Sequence, residues 1–83
     1  MKFKAEIDVM PHDALLDPQG KAVTQAMETI GLNEIQEVRI GRHIRLFVEA
    51  GDAATAASKV EEACKKMLAN AIMESYSFSI EAV

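Results

Sequence analysis

Apolar and polar residues alternate strictly from Phe3 to Val9. Phe3, Ala5, Ile7 and Val9 fall on one side, and Lys2, Lys4, Glu6 and Asp8 on the other. A period of two over this length predicts a β-strand with one buried face, ended by Pro11. After a loop, His12 to Leu16, the period becomes helical. Ala22, Val23, Ala26, Met27 and Ile30 form one apolar stripe between Pro18 and Ile30, with Lys21, Thr24, Gln25, Glu28 and Thr29 opposite. Asp17 is suited to cap this helix, Pro18 to open it, and Gly31 with Leu32 to close it in a Schellman-type turn. Gly20, a poor helix former one turn in, predicts close backbone approach by some other group.

Two shorter apolar sets follow, Val38 and Ile40 before Gly41, then Ile44, Leu46 and Val48 after it. A two-residue turn would put these sets on opposite faces. Parity therefore predicts a three-residue turn, Gly41 to His43, or an equivalent bulge, pairing Ile40 with Ile44 and Val38 with Leu46. A second helix is expected after its cap at Asp52. Ala53, Ala56, Ala57, Val60, Ala63, Cys64, Met67 and Leu68 form its buried stripe, and Asn70 stops it. Glu61 and Glu62 precede Lys65 and Lys66 by four, the favourable order for helical ion pairs. From Ile72 to Ala82 the alternation returns around Tyr76, Phe78 and Ile80. The order predicts an α+β fold of the βαββαβ ferredoxin-like kind: a four-stranded antiparallel sheet with two helices, as a single domain over residues 1–83.

Charge narrows the function. Nine basic against 13 acidic residues give a net charge of −4 with the signs interspersed. A nucleic-acid partner, which needs a basic patch, is not expected. No run approaches the ~18 apolar residues of a membrane span, so no membrane partner and a cytoplasmic location are expected. A domain this small buries only about 60–65% of its unfolded surface. With one cysteine it has no internal disulfide to compensate, so association into oligomers is expected.

Chemistry is sparse. Cys64 lies on an apolar helical stripe and reads as an inert buried thiol. His12 and His43 show no metal-ligand spacing and read as solvated. Arg39, on the polar side of its predicted strand, is expected to pair with a carboxylate such as Glu6 or Glu49. Phe47 is a lone aromatic on the wet face, too little for a stacking platform but suited to a subunit contact. Before the first helix there is neither the Cys-x-x-Cys of a copper chaperone nor the arginine of an acylphosphatase-like enzyme.

Four stretches add what these patterns do not. Leu16-Asp17-Pro18-Gln19-Gly20-Lys21-Ala22, Val38-Arg39-Ile40-Gly41-Arg42 with Ile44, Cys64-Lys65-Lys66-Met67-Leu68-Ala69-Asn70, and Ile72-Met73-Glu74-Ser75-Tyr76 occur in one order along the chain. Together they resemble the PurS family, the small subunits of bacterial and archaeal phosphoribosylformylglycinamidine synthase. The chain departs from the family's pattern at Ala71, where proline is usual, at Pro11-His12-Asp13-Ala14, and in the tail from Ser77 to Val83. The resemblance implies a PurS-like fold and a non-catalytic role, with no catalytic, cofactor-binding or metal residues in this chain. ATP, magnesium and formylglycinamide ribonucleotide would sit on a large synthetase subunit, and ammonia would come from a glutaminase subunit. The chain would form a homodimer or homotetramer, bridge those two partners and assist ammonia transfer. On this reading Asp17, Pro18, Gln19 and Gly20 at the corner, Arg39, Gly41 and Arg42 at the hairpin, and Phe47 are candidate partner-facing residues. The alternative is an ACT-like module sensing a small molecule, which would place a glycine in the first strand–helix loop. A hydrolase on the same scaffold lacks any base-plus-nucleophile pairing.

Overall fold

The computed structural model describes residues 1–83. Strand β1 spans Lys2–Pro11, helix α1 Pro18–Thr29, strand β2 Arg42–Glu49, helix α2 Ala53–Ala63 and strand β3 Glu74–Ala82. A single π-helical turn, Cys64–Leu68, prolongs α2 before Ala69 leaves in extended conformation. The strands form one sheet in the order β2-β1-β3, with β1 antiparallel to both neighbours.

The strict alternation of β1 has the expected consequence. Phe3, Ala5, Ile7 and Val9 are all buried, because β1 is the central strand and its apolar face lies under α2. Register brings like to like: Ile7 sits between Ile44 and Phe78, and Ala5 between Leu46 and Ile80. Ala56, Val60 and Cys64 close the core from α2 and the π turn. The small Ala56 lets the helix settle on the sheet. Met67, expected on the same stripe, is instead 85% exposed, because the π turn rotates it off the 3.6-residue period.

Both helix starts match the sequence reading. Asp17 caps α1 by accepting from the Gly20 amide, and Asp52 caps α2 by accepting from the Thr55 amide. The Schellman closure is also present. Gly31 has φ +87°, its amide donates to Glu28 O at 3.1 Å, and the Leu32 amide donates to Met27 O at 2.8 Å. Asn70 turns the chain toward β3, its side chain accepting from the Ile72 and Met73 amides.

The four-stranded sheet is not formed; there are three strands. The predicted hairpin through Gly41 is absent, and the chain runs on from Val38 to Glu49 without reversing. Two observations give the reason. The Ile40 amide is held by the Asp17 carboxylate and the Val38 amide by the Thr24 hydroxyl. Meanwhile Ile44 and Leu46 pair with Ile7 and Ala5 of β1, not with Ile40 and Val38. His43, placed by parity in the turn, is a residue of β2.

Helix α1 also departs from expectation. Its stripe does not bury within the protomer: Ile30 is 66% exposed and Gly20 is its one buried residue. It makes no substantial contact with the sheet or with α2. The molecule is correspondingly long, 51 × 26 × 14 Å.

Candidate partner interface

The corner is built where the chain leaves the sheet after Pro11 and returns at Arg42. Asp17 joins the two limbs. One carboxylate oxygen accepts from the Gly20 amide at 3.0 Å, and the other from the Ile40 amide at 2.8 Å. The amide of Ile40, then that of Gly20, holds the Asp17 carboxyl below the usual carboxylate range. Gly20 makes the approach possible, since a Cβ there would run into the Val38 carbonyl oxygen. The close approach expected of this glycine is therefore made by the chain's own returning limb, and no ligand space remains beside it. One turn on, the Thr24 hydroxyl donates to Gly20 O at 2.8 Å and accepts from the Val38 amide at 3.0 Å.

Arg39 does not make the carboxylate pair expected of it. Its guanidinium donates to Leu15 O at 3.1 Å and His12 O at 2.7 Å, lashing the returning limb to the outgoing loop. Glu6 is instead taken by Arg45, whose Nε lies 2.6 Å away. An open cleft of about 1040 Å³ flanks this corner. Asp17, Thr24 and the two terminal nitrogens of Arg39, which line it, are hydrogen-bonded within the chain, while the Arg39 Nε is buried without a partner.

Pro18, Gln19, Gly41 and Arg42 meet on the other side of the corner, around a shallow groove of about 260 Å³ with Pro11, Leu16 and Glu74. Gly41 is required there, because a Cβ would strike Val9 O and the Met10 sulfur. Arg42 makes a bidentate pair with Glu74 at 2.6 and 3.0 Å and donates to Leu68 O at 2.6 Å. The Arg42 pair, and then the Asn70 amide, depress the Glu74 carboxyl. Leu16, 76% exposed, stands at the lip of this groove. Thus seven of the eight candidate residues gather at one end of the sheet. Phe47 does not: it lies on the open face, 55% exposed, with the Lys2 ammonium 4.9 Å from its ring centre.

That open face carries a charge network the sequence reading missed. His43, expected to be solvated, is clamped between Asp8, 2.7 Å from Nδ1, and Glu6 on Nε2. Both carboxylates raise the His43 pKa, Asp8 first. Glu6 is lowered in turn by His43 and Arg45. The signal was present but needed the register: Asp8 lies opposite His43, and Glu6 opposite Arg45, once β1 and β2 are paired. Glu74 and Thr24 were hidden because their partners lie far along the chain. Glu61, expected only in its ion pair with Lys65, also accepts from the Tyr76 hydroxyl at 2.7 Å and pushes its pKa up to about 12. Cys64 is buried as expected, and burial raises its thiol pKa.

Comparison with known proteins covers the chain from end to end. Residues 4–82 match the family model PurS, described as phosphoribosylformylglycinamidine (FGAM) synthase. A Bacillus subtilis phosphoribosylformylglycinamidine synthase subunit PurS is 38% identical over 98% of this chain and 95% of its own. The Synechocystis subunit PurS is 37% identical over 98% of this chain and 81% of its own. Among solved structures, Bacillus subtilis PurS superposes with a TM-score of 0.84, covering 96% of this chain and 99% of that one. A chain of the Thermotoga maritima PurLQS structure gives a TM-score of 0.89 at 28% identity, over 98% of this chain and 99% of that one.

Proposed function

This chain belongs to the PurS family of phosphoribosylformylglycinamidine synthase subunits, and we propose that it is the non-catalytic assembly subunit of that enzyme in purine biosynthesis. The observation that carries the reading is the match along the whole length to PurS, including a chain of an assembled PurLQS structure. Within the enzyme the chain would bridge a large synthetase subunit, which holds ATP and magnesium, and a glutaminase subunit, and would assist passage of ammonia between them. Its own polar groups support a role played by surfaces. The side chains of Asp17, Arg39 and Arg42 are engaged in holding the fold.

A homodimer or homotetramer is the working form in this reading. The support is the apolar stripe of α1, left uncovered in the protomer, and the outer edge of β2, left without a strand partner. A Cα radius of gyration of 16.4 Å, against ~12 Å for a compact chain of this length, says the same of the whole molecule. The corner that Asp17, Gly20 and Arg39 hold in shape, presenting Pro18, Gln19, Gly41 and Arg42, is with Phe47 the proposed partner-facing surface. A cytoplasmic site of action is part of the same proposal.

The test is reconstitution. The chain should co-elute with the large and glutaminase subunits in the presence of glutamine and a magnesium nucleotide, and should raise glutamine-dependent synthase activity. If the two other subunits are equally active without it, the proposal fails.

A further inference from the structure

Residues 12–41 leave the sheet at the end of β1 and return at the start of β2, two strands paired to each other up to Val9 and Arg42. A single connection to a helix is a hinge. Two connections cross-tied above the sheet resist bending and twisting as a braced frame does. The ties are specific. The Asp17 carboxylate spans the limbs to the Ile40 amide at 2.8 Å, and the Arg39 guanidinium spans them to the His12 and Leu15 carbonyls at 2.7 and 3.1 Å. Thr24 adds a tie to the Val38 amide higher up. Below them, the His12 amide donates to Met73 O at 2.9 Å, and Gly41 lies against Val9 O, seating both limbs on the sheet end. No packing of α1 on the sheet or on α2 does this work in their place.

We propose that Asp17 and Arg39 are the braces that fix the direction in which α1 projects, so that the protomer presents its apolar stripe at a set angle rather than on a loose tether. The charges of these two residues serve that purpose and not solvent. Asp17 is distinguished from an ordinary cap by its second oxygen, since the cap of α2, Asp52, makes its contact only within its own helix start, to Thr55. The inference does not depend on which partner covers the stripe.

The experiment measures the angle. In a Cys64→Ala background, spin labels at Glu34→Cys beyond the end of α1 and Ser58→Cys on α2 report the arm-to-sheet distance. The doubly labelled full chain is diluted into excess unlabelled chain, so that distances within one protomer dominate. One narrow distance is expected for the parent, and its loss into a broad distribution for Asp17→Ala and for Arg39→Gln. Asp17→Asn keeps an acceptor for the Gly20 amide while offering an N–H₂ to Ile40, so it should broaden the distance with circular dichroism unchanged. Asp52→Ala, which removes a cap but no brace, should leave the distance narrow. A narrow, unshifted distance in folded Asp17→Asn and Arg39→Gln overturns the proposal, as does a broad distance in the parent. If Asp17→Ala fails to fold, the other two variants decide.

Discussion

Single residues in this chain act through what the fold brings against them. Gly20 is the sharpest case, because the atom it makes room for is a backbone oxygen that cannot swing away. Gly20→Ala should cost about 1–3 kcal/mol in urea unfolding, the usual cost of overpacking. Gly51→Ala, with nothing within 4 Å of its Cβ, should stay within ~0.5 kcal/mol of the parent. His43 gives a pH signature. Its carboxylate neighbours raise its pKa in the folded state above 6.5, so the folded protein binds this proton more tightly than the unfolded chain does. The stability it contributes is complete below about pH 6.5 and is lost as pH rises through the raised value. Thermal melts should therefore fall across that window in the parent, and the fall should flatten in His43→Gln. A Tm that rises through the same window would mean the clamp is not made in solution.

At the scale of elements, the sequence was legible wherever a rule is local. Period two found β1, the cap and Schellman rules bracketed α1, and Asp52 marked the start of α2. Removing that last cap by Asp52→Ala should cost ~1 kcal/mol, read as a lower urea midpoint with an unchanged slope. The segment from Val38 to Glu49 shows where local rules stop. Its alternation is real and its parity argument sound, yet a hairpin also needs the Ile40 and Val38 amides free to pair, and Asp17 and Thr24 hold them. Nothing within the segment announces those partners, which lie 23 and 14 residues away. The candidate residues divide in the same way. The corner string stood out by type and spacing, whereas Asp8, Glu74 and Thr24 became visible only when register and turn placed them. Met67 was lost to one π turn, which no periodicity anticipates.

The molecule as a whole has one covered layer and one uncovered helix. Its single core lies between β1 and α2, and α1 contributes almost nothing to it. If oligomer formation covers the α1 stripe, Met27→Asp with Ile30→Asp should remove at least ~3 kcal/mol of apolar burial from the contact, more than ~100-fold in the association constant. Light scattering after gel filtration should then show the mass falling toward one protomer, while the far-ultraviolet spectrum keeps its strand and α2 signal. Unchanged mass would mean that the stripe faces water in the assembled form too. The same bareness has a consequence for the lifetime of the chain. A helix braced at its base but with Gly20 as its one buried residue unwinds from its far end more often than the core does, and a protease acts on what opens. Made in excess of its partners, the subunit would offer α1 as its first cleavage site, while copies with the stripe covered would be spared. Supply of the small subunit would then follow demand by degradation of the surplus.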